Sequence, residues 1–202
     1  PKALDIIRQI AGALQHAWEH GIIHRDIKPE NIMVQKDGIV KLCDLGLVKC
    51  LYDEKSTRIT TLGTTVGTPL YMSPEQAKGE ELDIRTDIYA LGITFFELVT
   101  GKPPYSHHSP IVVMQKHLTE PIPKASDQNS AISKATSHLI YRMMSKKKED
   151  RPFPREVVET IEKILSGDIE VEKQSPPLKG VPFIRKKGRK KFLGKKFPRR
   201  RP

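Results

Sequence analysis

The apolar period of this chain changes twice, and the order of those changes limits the fold more than any other feature. Leu4, Ile7, Ala11, Leu14 and Trp18 recur at three- and four-residue steps, the apolar face of a helix that Gly21 can end. Two short runs rich in Ile and Val follow, 31–35 and 39–42, and Lys36-Asp37-Gly38 between them reads as a hairpin turn. From 44 to about 85 no period is sustained, and Thr, Gly and Pro are frequent. An irregular stretch of that length inside a compact domain usually carries function. Helical spacing then returns. Ile88, Leu91, Phe95 and Leu98 mark a strongly apolar helix closed by Gly101 and Pro103-Pro104. Residues 111–118 make a short one, Ile132, Ala135, Leu139 and Met143 another, and Val157, Val158, Ile161 and Leu165 the last. The expectation is a mainly α domain over 1–166, a helical bundle with one small β-hairpin, followed by a tail over 167–202.

Charge separates the same two parts. Of 35 Lys and Arg, 12 lie in 174–202, which holds no Asp or Glu; the rest of the chain sets 23 basic against 24 acidic side chains. The formal +11 therefore belongs to the tail, and the body is not a basic, nucleic-acid-binding globule. Cys43 and Cys50 are too few for a disulfide framework and lack zinc-ligand spacing, so a reduced, cytoplasmic setting is expected. The longest apolar run, 88–99, contains Glu97 and is too short to span a bilayer. A first residue of Pro1, where Met would start a chain, reads as a piece of something longer or a processed form.

The chemistry sits in the loops. His24-Arg25-Asp26-Ile27-Lys28-Pro29-Glu30-Asn31 joins the first helix to the hairpin, and Asp44-Leu45-Gly46 follows its second strand. Phosphoryl transfer needs oxygen donors that hold Mg²⁺ against phosphates, a carboxylate facing the attacking hydroxyl, and a cation for the transferring charge. Asn31 and Asp44 supply donors suited to a hard cation. Asp26 can orient and deprotonate the hydroxyl, Lys28 is a point charge for the γ-phosphate, and Gly46 lets the backbone turn close to the metal.

These residues resemble the catalytic and metal-binding loops of protein kinases, whose pattern H-R-D-x-K-P-x-N followed by D-x-G is very specific. Lys28, two residues after Asp26, resembles the Ser/Thr class. The likeness runs over residues 1 to about 166 and is nearest the bacterial-type Ser/Thr kinases. It implies that Ser73-Pro74-Glu75 closes an activation segment, that Thr68 supports Asp26 and Lys28, and that Asp87 holds the backbone at His24-Arg25-Asp26. It also implies that Arg151 pairs with Glu75, that Met33 packs under an adenine, and that ATP and Mg²⁺ are the cofactors. Arg25 and Lys49 match basic positions that bind a phosphate on the activation segment, with Thr60, Thr61, Thr64 and Thr65 as candidate acceptors. A Thr-rich loop without a switch is the plainer alternative.

One part of the family pattern is absent. No two glycines lie two apart, so G-x-G-x-x-G cannot be written anywhere, and only 25 residues precede Asp26. The expectation is a kinase C-terminal lobe without its N-terminal lobe, weak alone and completed by that lobe or by a partner chain. The reaction implied is transfer of the ATP γ-phosphate to protein Ser or Thr hydroxyls. The rival reading is a non-catalytic kinase-like module that presents docking helices and a basic arm. In that arm, residues 185–201 interleave eleven Lys and Arg with Phe192 and Phe197, a composition that predicts disorder in isolation. A plain solvated tail, an anionic membrane surface, nucleic acid and an acidic protein all remain open as its setting.

Overall fold

The computed structural model describes residues 2–44 and 69–168, together with the backbone of 49–50. α1 (Lys2–Glu19) turns Ile7, Ile10, Ala11 and Leu14 inward and ends where Gly21 takes φ 72°. β1 (Ile22–Ile23) follows and pairs antiparallel with β4 (Lys49–Cys50), Ile22 opposite Cys50. β2 (Ile32–Val34) and β3 (Val40–Leu42) form a second antiparallel pair, Ile32 opposite Leu42 and Val34 opposite Val40. Gly38 at φ 88° makes the turn, a left-handed conformation in which a Cβ would be strained. Gln9 of α1 clamps this hairpin: its Nε2 donates to Gly38 O at 3.0 Å and its Oε1 accepts from Val40 N at 3.0 Å.

The remaining elements are helical: α2 (Pro74–Lys78), α3 (Ile84–Thr100), α4 (Pro110–Thr119), α5 (Ala125–Gln128), α6 (Lys134–Met143) and α7 (Pro154–Ser166). α1 packs on α3 and α7, and α3 packs on α6. One core results, with Ile7 and Leu14 of α1, Ile88, Leu91 and Phe95 of α3, Leu139 and Ile140 of α6, and Val157 and Ile161 of α7. The architecture is mainly α, as expected. No helix among the described residues is long and apolar enough to cross a membrane.

Several local expectations change, beginning with the single hairpin, which is joined by the second strand pair β1–β4. Asn31, read as the start of a strand, ends a 3-10 turn over Pro29–Asn31, because Pro29 fixes φ and has no N–H to give a ladder. α2 lies in the stretch read as aperiodic; five residues are too few to show a period, and its signal is the cap. Ser73 Oγ accepts from Gln76 N at 3.2 Å while Gln76 Oε1 accepts from Ser73 N at 2.9 Å, a reciprocal capping box. Leu165 and Leu98, each read into the apolar pattern of its helix, are exposed near the C-terminal ends of α7 and α3.

Candidate active site

The loop between β1 and β2 is held from below by α3. Asp87, buried in the first turn of that helix, accepts from His24 N at 2.8 Å and from Arg25 N at 2.7 Å. Burial pushes its carboxyl up to about 7, against the pull of those two N–H donors and of Arg25. The grip matters because Arg25 sits at φ 71°, left-handed for a residue with a Cβ. Such a conformation costs on the order of 1–3 kcal/mol and persists only where its surroundings fix it.

Asp26 follows. Its Oδ2 takes Lys28 Nζ at 2.7 Å and Asn31 Nδ2 at 3.1 Å, and the same Asn31 nitrogen donates to Asp26 O at 2.8 Å. Lys28 and Asp26 are each about four-fifths buried, at 20% and 17% side-chain exposure, so this ion pair is shielded from bulk water. His24 closes the base of the loop. Its Nδ1 accepts from Asp26 N at 3.4 Å and its Nε2 meets Cys43 O at 3.2 Å, a pattern that places the ring proton on Nε2. Burial lowers the pKa of His24, in keeping with a neutral ring.

The hairpin brings the second motif to the first. Cys43 N donates to Asn31 O at 2.8 Å, so Asp44 begins one residue beyond a contact with Asn31. Asp44 has φ 62°, a second left-handed position outside glycine, and is an exposed residue. With its Nδ2 spent on Asp26, Asn31 offers Oδ1 as its remaining side-chain acceptor, and Asp44 adds carboxylate oxygens. Two oxygen donors of this kind fit a hard divalent cation. Met33 on β2 is 58% exposed and Cys43 half-buried.

Glu75 and Arg151 meet in the interior. Arg151 Nη1 donates to Glu75 Oε1 at 2.6 Å and Nη2 to Oε2 at 2.8 Å, with side-chain exposures of 0% and 3%. Arg151 and Thr86 hold the Glu75 carboxyl below its ordinary value although burial opposes them. Thr86, which the sequence alone did not single out, donates its hydroxyl to Glu75 Oε1 at 2.9 Å. Gln9 is the other omission, and its apolar-helix setting gave no signal for a hairpin clamp. The structure thus brings together His24, Arg25, Asp26, Lys28, Asn31 and Asp87, and separately Glu75 and Arg151. Gly46, Thr60, Thr61, Thr64, Thr65, Thr68, the Lys49 side chain and residues 185–201 lie outside the described residues.

A family profile described as the protein kinase domain matches residues 2–161. This chain belongs to the protein kinase family. Several bacterial proteins are among its relatives. It is 43% identical over 150 residues to a probable serine/threonine-protein kinase of Clostridium acetobutylicum, covering 74% of this chain and 22% of that one. It is 44% identical over 151 residues to the serine/threonine-protein kinase PknH of Mycobacterium tuberculosis, covering 75% and 24%. It is 37% identical over 151 residues to PknB of Mycolicibacterium smegmatis, covering 74% and 24%. The resemblance to bacterial-type Ser/Thr kinases therefore holds, and the chain spans about a quarter of the length of those relatives.

Proposed function

We propose that residues 1–166 are the larger lobe of a Ser/Thr protein kinase, which transfers the γ-phosphate of ATP to a Ser or Thr hydroxyl of a protein, and that 167–202 are an appended basic tail. The observation that carries this reading is the single cluster of Asp26, Lys28 and Asn31, held at 2.7–3.1 Å on a loop that Asp87 fixes. Mg²⁺-ATP, when bound, supplies the phosphoryl group and the charge neutralisation that transfer requires. Asn31 Oδ1 and the Asp44 carboxylate would hold the metal ion. Asp26 orients the substrate hydroxyl and accepts its proton at the carboxylate, whose Oδ2 is met by Lys28 and Asn31 among the described residues. Lys28 places a cation where charge builds during transfer. Thr68 would brace Asp26 and Lys28, and Arg25 with Lys49 would receive a phosphate placed on Thr60, Thr61, Thr64 or Thr65.

The hairpin leaves Met33, Val34 and Ile39 at 45–58% exposure, an apolar surface suited to a covering lobe or partner chain. Residues 1–202 alone are accordingly expected to bind Mg²⁺-ATP poorly and to turn over slowly, in a cytoplasmic setting. The test measures phosphate transfer to a Ser/Thr peptide with a kinase small lobe supplied separately. A signal that disappears in Asp26→Asn supports the reading, and a signal unchanged by that substitution overturns it. If calorimetry finds no Mg²⁺-dependent ATP binding to the complemented protein, the non-catalytic module with a basic arm is the better description.

A further inference from the structure

We propose that Gln76 is a positioning residue of the catalytic loop, fixing the peptide between Arg25 and Asp26 by its carbonyl while Asp87 fixes the N–H groups before it. The inference rests on the reading of Asp26 as the base. Gln76 is the third residue of α2, and its side-chain amide makes two bonds at once. Oε1 accepts from Ser73 N at 2.9 Å, and Nε2 donates to Arg25 O at 3.2 Å. One orientation of the amide satisfies both; the flipped one would set oxygen against the Arg25 carbonyl and N–H against N–H.

The two contacts do different work. The bond from Ser73 belongs to the capping box and needs only an acceptor. The bond to Arg25 needs a donor, and it reaches across 51 residues to the backbone position of the loop at φ 71°. A left-handed residue with a Cβ holds that conformation only when its flanking peptides are tied. Asp87 ties the N–H side of Arg25, and Gln76 ties the carbonyl side, the peptide that leads directly into Asp26. The preceding residue of α2, Glu75, is locked to Arg151. α2 is therefore anchored on one side and hands a donor to the loop on the other. A shift of α2 moves the Arg25 carbonyl, and with it the plane from which Asp26 projects.

The chemistry allows a clean separation. Gln76→Glu keeps an oxygen for Ser73 N and removes the donor to Arg25; Gln76→Ala removes both. Amide hydrogen exchange on the full 202-residue chain reads the outcome without ATP, so it does not depend on the kinase reading, which the Asp26→Asn assay tests separately. At neutral pH, Gln76→Glu is expected to speed exchange at Arg25 and Asp26 roughly fivefold to tenfold, the scale of one net hydrogen bond, with the α2 amides still protected. In acid, once that carboxyl has taken up a proton, it regains an O–H donor, and protection returns towards wild type at the same pH. Gln76→Ala loosens the loop without recovery in acid. Unchanged exchange at Arg25 and Asp26 in Gln76→Glu overturns the proposal. So does a loss confined to α2, or a loop loss that acid does not reverse, because then the amide only caps its helix.

Discussion

α1 and α3 have nearly the same length, 18 and 17 residues, and are buried in different ways. α1 turns one apolar stripe to the core and leaves Gly12 and Ala13 exposed. α3 buries twelve of its residues, among them Thr86, Asp87 and Thr94. A polar side chain on an enclosed helix cannot turn to water, so it must find a partner in the protein or remain a cost. On α3 the Thr94 hydroxyl is buried with no partner among the described residues, whereas Asp87, Thr86 and Tyr89 find partners that matter. Asp87 grips the loop at His24 and Arg25, Thr86 donates to Glu75, and the Tyr89 hydroxyl meets His117 Nδ1 at 2.9 Å. The half-exposed helix supplies apolar area, while the enclosed one also supplies anchors that place the site.

Substitutions can break this contrast at decreasing cost. The largest effect is expected at Arg151, which donates to Glu75, Arg85 O, Ser145 O and Lys146 O and stacks 4.8 Å over the Tyr89 ring. Arg151→Ala strands the buried Glu75 carboxylate, and urea unfolding should show a loss of about 3–5 kcal/mol. A smaller loss would mean that α3 does not rely on this pair.

His117 gives a pH-dependent version of the same test. Burial, with Lys146 nearby, lowers it to about 4. The unfolded ring titrates near 6.5, so its neutral form favours the folded state above that pH, and the contribution is lost as pH falls towards 4. The loss reaches at most about 3 kcal/mol by that shift. Asp87, raised by burial to about 7, works in the opposite sense, its contribution fading as pH rises. His117→Asn keeps a partner for Tyr89 without titrating in this range. Subtracting its stability curve from that of the wild type removes the Asp87 component, and a flat difference between pH 4 and 7 would defeat the assignment.

The two helix glycines sharpen the comparison. A Cβ at Gly92 of α3 would lie 2.8 Å from Met143 Cβ and 3.2 Å from the Met143 backbone. Gly92→Ala should therefore cost about 1–3 kcal/mol by forcing α3 and α6 apart, as read by thermal unfolding. At Gly12 of α1 a Cβ meets nothing within 4 Å. Gly12→Ala should instead stabilise by about 0.5–1 kcal/mol, through the entropy the unfolded chain loses. If both substitutions shift the melting temperature in one direction, the two helices are not buried as described.

Much of the fold was legible because long apolar stripes and their stops are local. Leu4 to Trp18 with Gly21, and Ile88 to Leu98 with Gly101, mark α1 and α3, and both glycines take positive φ where the chain reverses. The loop residues were legible for a different reason: His24 to Asn31 and Asp44 fall at a spacing that chemistry and family likeness both pick out. The β1–β4 pair was not legible, since two residues on each side carry no period and their register depends on chain far apart in sequence. Gln9 reads as a polar position on α1, and nothing local says that it faces Gly38 and Val40.

By itself, the sequence determined which residues carry donors, acceptors and charges, where the long helices run, and where Gly and Pro stop them, because those properties act within a few residues. Tertiary structure decided which of these groups meet. Asp87 comes to His24 and Arg25 across more than sixty residues, Arg151 to Glu75 across 76, and Gln76 to Arg25 across 51. Such bonds have ångström tolerances, and only the packing of α1, α6 and α7 around an enclosed α3 sets their distances.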